Sequence, residues 1–186
     1  MSGLSGAVIL SRLVDDDGQA VVIEVGKPTP AEAGAECVFR VDEQGFHSHG
    51  TDELAALYAA VTEIGAILAR ANRKAGRARF AVAAELGFPD PTPTGAEADP
   101  TDGPDSGVGE IIARRVFDHD GRRHSITVGR PFHAPDSGLT LCPFQVDDRP
   151  RAVAGGWDGM QALLTALGMI GAWLGLPRDW AATTPG

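Results

Sequence analysis

The chain has 186 residues with 43% hydrophobic content, which is enough to bury a core as one or two compact domains without help from metals or disulfides. The net charge of -9 argues against a general phosphate-backbone binder, because such proteins neutralise phosphates with Lys and Arg. An acidic surface favours solubility or a basic partner. The composition thus predicts a globular protein that does not bind nucleic acid.

The N-terminal residues, the apolar stretches and the cysteines indicate where in the cell the protein is expected. The opening residues MSGLSGAVIL lack the basic region and long apolar run of a secretory signal, and no uninterrupted apolar stretch reaches the length of a membrane span. The two cysteines, Cys37 and Cys142, are too few for a disulfide framework. We therefore expect a cytoplasmic protein that is not bound to membranes.

An internal repeat organises the chain. Residues 7–28 align with residues 110–131 without a gap, and further blocks follow in the same order, at residues 37–42 with 142–147 and at residues 52–68 with 158–174. The matched identities include these pairs: Arg12/Arg115, Gly18/Gly121, Gly26/Gly129, Cys37/Cys142, Asp52/Asp158 and Gly65/Gly171. The sequence predicts a tandem duplication, with repeats at residues 1–88 and 108–186 joined by a Pro/Gly/Asp-rich linker at residues 89–107.

Each repeat begins with strands. Two apolar runs flank a D-x-D-G sequence, which is typical of a β-hairpin, and a Cys-x-Phe-x-Val alternation predicts a third strand with one buried face. A short fourth strand is expected at residues 46–49 and 151–154. A Gly-Lys/Arg-Pro sequence ends the second strand of each repeat, and a loop is expected between it and the third strand.

A helix then follows in each repeat. Thr51 or Asp52, and Asp158 in the second repeat, are residue types that cap helix N-termini, and apolar residues recur behind them at three- and four-residue spacing. Gly65 and Gly171 would permit close packing, which makes them candidates for a crossing of the two helices. The predicted fold is α+β: two antiparallel meanders of three to four strands, each with one helix, in a pseudo-twofold arrangement.

The second repeat resembles an uncharacterised bacterial domain family. The resemblance rests on Cys142-Pro-Phe-Gln-Val and on Gly156-Trp-Asp-Gly-Met-Gln-Ala-Leu163, while the first repeat departs from the pattern at Val38 and at Ala55. That family is similar in style to small immunity-type proteins encoded beside bacterial toxins, and the resemblance implies a fold but no activity.

Candidate chemical sites are few. Both cysteines occupy strand positions that indicate buried, inert thiols. His47 and His49 could supply two ligands of a metal site, but no third or fourth ligand lies at a spacing typical of such sites. The cluster at residues 15–17 is explained by turn chemistry. The sequence therefore predicts no catalytic residue, no metal and no cofactor.

Four polar or aromatic residues remain as candidates for binding: Arg12, Arg115, Trp157 and Gln161. The alternative interpretation is structural, with each Arg paired to an acid of its own sheet (Asp42 or Asp147), Gln161 as a capping residue and Trp157 as a core anchor. The preferred function is a non-enzymatic protein-binding module, immunity-like or regulatory, whose acidic surface engages a basic partner. The alternative is a small-molecule-binding protein or enzyme with its site in the groove between the repeats. The sequence allows a monomer or a homodimer.

Overall fold

The computed structural model describes residues 7–16, 19–75, 108–135 and 137–182. These residues form an α+β fold with two antiparallel sheets of five strands, each followed by one helix. The predicted linker at residues 89–107, the end of the first repeat beyond residue 75, and Gly18 lie outside the described residues.

The first half contains five strands and a helix: β1 (Val8–Asp16), β2 (Gln19–Gly26), β3 (Thr29–Ala31), β4 (Gly34–Val41), β5 (Gln44–Gly50) and α1 (Glu53–Ala75). The second half repeats that order: β6 (Ile111–His119), β7 (Arg122–Gly129), β8 (Phe132–Ala134), β9 (Leu139–Val146), β10 (Ala152–Gly156) and α2 (Gly159–Leu174). The predicted hairpins, third strands, fourth strands and helices are therefore present in both halves.

The hairpins share their irregularities. Both β1 and β6 carry a shift in register, between Val8 and Leu10 and between Ile111 and Ala113. At the tip of the second hairpin, Asp120 and Gly121 have φ values of 49° and 71°, as a two-residue turn between twisted strands requires. In the second half, the D-x-D-G sequence thus forms the predicted turn.

Strands β3 and β8 lie where only a loop was expected after the second strand of each half. Each has three residues and pairs antiparallel with the start of the following long strand. The sequence offers no alternation over so short a segment, and β3 has only exposed side chains, so no hydrophobic pattern marks it. The backbone pairing with β4 and β9 holds these strands.

The buried side chains of both halves form one contiguous hydrophobic cluster. Helix α1 contributes an apolar stripe and contacts β4 and β5 of its own sheet as well as β6 of the other half. Helix α2 contacts β9, β10 and, across the halves, β1. Each fully buried Leu, Ile or Phe in this cluster contributes about 1.5–3 kcal/mol, so the halves stabilise one another.

Gly171 permits close packing, but with a different partner from the predicted helix. A Cβ atom at Gly171 would lie 2.8 Å from Nε1 of Trp180, which is buried behind the end of α2. The Trp180 indole also donates a hydrogen bond of 3.3 Å to the carbonyl oxygen of Leu167. The predicted crossing of the two helices at Gly171 is therefore wrong: the glycine makes room for an indole ring.

By length and composition alone, one helix in the described part of the chain could cross a membrane, over Glu53–Asn72. Half of this helical segment is buried inside the protein, where Leu57 and Ile64 pack in the core. The core helix of a soluble protein meets the same criterion, so this feature is weak evidence for a membrane span.

Candidate functional site

Arg12 joins the two halves. Its side chain is 7% exposed, and its Nε and Nη2 atoms each donate a hydrogen bond of 2.6 Å to the carboxylate of Asp158. The predicted pairing with Asp42 of its own sheet is therefore replaced by a bidentate pair with an acid of the other half. Bidentate guanidinium–carboxylate pairs are among the stronger polar contacts in proteins because both hydrogen bonds are charge-assisted.

Arg115 makes the reciprocal contact. Its fully buried side chain donates to Asp52 through Nε at 2.7 Å and through Nη2 at 3.0 Å. The same guanidinium donates to the carbonyl oxygens of Trp180, at 2.6 Å, and Ala181, at 3.0 Å, and lies over the Trp180 ring. Arg115 thus ties the first half to the C-terminal segment of the second.

Asp147, the acid predicted to pair with Arg115, has a different role. Its carboxylate accepts hydrogen bonds of 2.8 Å from the Ser125 backbone N–H and from His124. Burial alone would raise the pKa of Asp147, but the Ser125 and His124 hydrogen bonds and the charges of His124 and Arg149 together lower it. The carboxylate fixes the turn after β9.

Asp52 and Asp158 each perform two tasks. The Asp52 carboxylate accepts a hydrogen bond of 2.8 Å from the N–H of Ala55, and the Asp158 carboxylate accepts one of 2.9 Å from the N–H of Gln161. Each acid therefore caps its helix and binds the strand arginine of the other half. The sequence alignment had already matched these acids with each other and the two arginines with each other, but it contained no signal that the pairs cross between halves.

Gln161 and Trp157 lie beside the Asp158 cap. The Gln161 side chain accepts a hydrogen bond of 2.8 Å from the Trp157 N–H, so the predicted capping interaction is confirmed. Trp157 is 81% exposed, so the alternative interpretation of this residue as a core anchor is wrong. Its backbone is held by the cap, and its indole is presented to solvent.

Two further contacts cross the halves at residues 26–28 (Gly-Lys-Pro) and 129–131 (Gly-Arg-Pro), which follow the second strand of each half. Lys27 lies 3.8 Å from the carboxylate of Glu110, and Arg130 donates a hydrogen bond of 2.9 Å to the carbonyl oxygen of Val8. The seam between the halves is defined here by four contacts: Arg12–Asp158, Arg115–Asp52, Lys27–Glu110 and Arg130–Val8. Three of the four predicted binding residues (Arg12, Arg115 and Gln161) build this seam or its helix caps.

The two cysteines are buried and free, as predicted. The Cys37 thiol donates to the carbonyl oxygen of Gly26 at 3.4 Å, and the Cys142 thiol to that of Gly129 at 3.6 Å. Burial and the neighbouring Glu36 raise the pKa of Cys37 to about 12, and burial raises that of Cys142 as well. Neither thiol is suited to nucleophilic chemistry.

An apolar strip lies on the outer face of the second sheet. Leu141 of β9 pairs with Phe132 of β8 on one side and with Gly155 of β10 on the other. A Cβ atom at Gly155 would lie 3.8 Å from Leu139 and 4.0 Å from Leu141, so these side chains share its face. Trp157 follows two residues later. We call this set the outer strip; its members are Phe132, Leu139, Leu141, Gly155 and Trp157.

The matching face of the first sheet is polar. There Glu36 of β4 pairs with Thr29 of β3 and His49 of β5, where the second half has Leu141, Phe132 and Gly155. Glu36 also contacts His47, at 2.8 Å. Among the residues that the structure describes, no group of three or more His, Cys, Asp or Glu side chains is placed to hold a metal ion.

One family model matches the chain. It is described as a domain of unknown function (DUF6968), and it matches residues 9–90. The match is consistent with an uncharacterised domain family and covers the first half, whose sequence departs from the pattern seen in the second. No curated protein and no solved structure matches the chain significantly.

Proposed function

We propose that this protein is a non-enzymatic module that binds another protein, and that the outer strip of the second sheet is its contact surface. The partner we infer has an apolar anchor set in basic surroundings. An immunity-like or regulatory role in the cytoplasm, where Cys37 and Cys142 stay reduced, fits this proposal.

The exposure of Trp157 is the observation that carries the proposal. Trp157 is 81% exposed and Phe132 is 45% exposed. Phe132 pairs with Leu141 in the strip, and Trp157 follows Gly155 by two residues at the end of β10. Trp is the residue type most enriched among the energetic hot spots of protein interfaces, since its large rigid ring buries much surface at small entropic cost. The capping hydrogen bond from the Trp157 backbone to Gln161 holds this residue in place before a partner arrives.

The charge of the chain favours a basic partner. The net charge of -9 lies in residues 1–107, since residues 108–186 contain eight basic and eight acidic residues. This charge attracts basic proteins and speeds their association, while apolar contacts at the outer strip supply most of the affinity. The proposed mode of binding therefore combines long-range attraction with a small apolar contact centred on Trp157 and Phe132.

The contacts of the other predicted residues weigh against a ligand site between the halves. The guanidiniums of Arg12 and Arg115 bind the carboxylates of Asp158 and Asp52, and the Gln161 side chain caps its helix. A groove ligand would have to displace these contacts. We therefore retain Trp157 as a binding residue and assign Arg12, Arg115 and Gln161 to positioning the fold.

We also infer that the two halves arose by tandem duplication and are related by a pseudo-twofold axis. The shared register shifts, the matched buried cysteines and the reciprocal Arg–Asp pairs support this inference. If the ancestral protein was a homodimer of one such unit, each subunit would have contributed the same residues to the interface. Joining two copies of the unit in one chain would then keep these reciprocal contacts.

The test compares three forms of the protein as baits in extracts of the native host. The strip variant carries Phe132→Thr and Trp157→Thr, which place the residue type of the first half at each position. The control variant carries Leu13→Thr and Val116→Thr, which remove two exposed apolar side chains (69% and 53% exposed) elsewhere on the outer surfaces.

We expect one basic protein to be captured by the wild type and the control variant and lost with the strip variant. With the partner purified, acrylamide quenching of Trp157 should fall on binding, since partly buried Trp173 and buried Trp180 are already shielded. Capture that persists in the strip variant, or that is lost equally in the control, would contradict the proposal.

A further inference from the structure

The seam between the halves uses one pair of residue types twice. Each half contributes a buried strand arginine and a helix-capping aspartate, and each arginine binds the aspartate of the other half. A surface that carries both members of a reciprocal pair is self-complementary, which is the property of an isologous dimer interface.

We propose that the seam accepts a second copy of this chain, so that matched halves of two chains pair with each other. In such a pair of first halves, Arg12 of each chain would bind Asp52 of the other. In a pair of second halves, Arg115 would bind Asp158. This inference rests on the duplication proposed above and is independent of the outer strip.

A packing contact at the seam distinguishes the two kinds of pairing, in addition to Lys27–Glu110, whose carboxylate has Ala7 as its counterpart in the first half. A Cβ atom at Gly159 would lie 3.1 Å from Cδ2 of Leu10, so the large side chain of the first half fits against the missing side chain of the second. The alignment matches Gly159 with Glu53 and Leu10 with Ala113. In a pair of first halves, Leu10 would therefore meet Glu53, which leaves less room.

These contacts make pairing of a first half with a second half more favourable than pairing of matched halves, but they do not prevent pairing of matched halves. The Arg–Asp pairs do not discriminate between halves, while Leu10 and Gly159 favour a first half with a second half. The covalent connection between the halves adds to this preference, because it makes the pairing intramolecular and raises the effective concentration. Gly159 is thus a residue that determines pairing specificity.

The test removes the covalent connection from the full chain. A protease site is placed within residues 91–106, the purified protein is cut, and the products are measured by native mass spectrometry after equilibration. The two halves differ in mass, so mixed pairs, pairs of first halves and pairs of second halves are resolved.

We expect a major mixed pair and a minor population of both matched pairs in the cut wild type. Gly159→Glu should raise the ratio of matched to mixed pairs several-fold, since it removes the fit with Leu10. Gly168→Ala is the control, because a Cβ atom there meets nothing within 4 Å; it should leave the ratio unchanged. Asp52→Asn should remove pairs of first halves and spare pairs of second halves.

Mixed pairs alone in both the wild type and the Gly159→Glu variant would overturn the proposal. Free halves without pairs of any kind would overturn it as well, since a seam that cannot hold its own halves cannot hold a second copy. These outcomes involve no binding partner, so they are distinguishable from a failure of the proposed protein-binding function.

Discussion

The two halves share the Arg–Asp pairs that join them, whereas the outer faces of their sheets differ. Matched residues build the seam and the cores: the strand arginine, the capping aspartate and the buried cysteine occur in both halves. On the outer faces, Thr29, Glu36 and His49 of the first sheet stand where Phe132, Leu141 and Gly155 stand in the second. Residues shared by the halves are thus explained by structure, and the differing face is the better candidate for a function.

The largest effect is expected at Gly50 and Gly156, which precede the helices. A Cβ atom would lie 2.2 Å from the Ala56 nitrogen at Gly50 and 2.4 Å from the Ala162 nitrogen at Gly156. Because backbone cannot move aside easily, Gly50→Ala and Gly156→Ala should each cost roughly 3 kcal/mol or more in urea unfolding. Gly168→Ala, inside α2 with open space around it, is the control and should stabilise by about 1 kcal/mol. If either substitution lowered the free energy of unfolding by less than about 1 kcal/mol, the two glycines would not have the equivalent packing roles that the structure gives them.

The next effect concerns the cysteines. Cys37→Ala and Cys142→Ala should each destabilise the protein by about 1–3 kcal/mol through lost packing and a small cavity. Both thiols are fully buried, and the pKa of Cys37 is raised to about 12, so neither should react with a thiol reagent until the protein unfolds. Rapid labelling of the native protein at either cysteine, with an alanine variant of full stability, would refute the structural interpretation.

The smallest expected effect is one that only the second half should show, because it depends on the Asp147–His124 contact. The lowered pKa of Asp147 means that its ionised form stabilises the fold, so this contribution is present above the ordinary aspartate pKa of 3.8 and is lost as pH falls below it. Asp147→Asn should cost about 0.5 kcal/mol near pH 6, with the difference vanishing at pH 3. Asp42→Asn is the matched control, since Val21 occupies the position of His124. A larger loss at pH 3 than at pH 6 would contradict the assigned sign.

Much of the fold can be predicted from the sequence because the same local signals occur in both halves. The hairpins, the alternation around Cys37 and Cys142, and the caps at Asp52 and Asp158 are local signals, and each is present in the structure. Strands β3 and β8 could not be predicted, because three residues held by backbone pairing leave no hydrophobic pattern.

The candidate site was harder to predict for a different reason. The alignment identified Arg12 and Arg115 as unusual, but their partners lie in the other half, and a sequence comparison between repeats cannot reveal contacts across them. The sequence leaves Trp157 as either a binding residue or a core anchor, and only the structure shows that it lies just after β10 with its side chain exposed. The outer strip was missed because its members come from three separate strands and the turn after the last.

The most direct test of the central claim, that the shared residues hold the halves together, is a double-mutant cycle on Arg115 and Asp52. Arg115→Met, Asp52→Asn and the double variant are compared with the wild type by urea unfolding at pH 7. The fully buried guanidinium and its partner across the seam predict a coupling free energy on the order of 1–3 kcal/mol. Single losses that add within about 0.5 kcal/mol would contradict the claim, because the pair would then contribute no more together than apart.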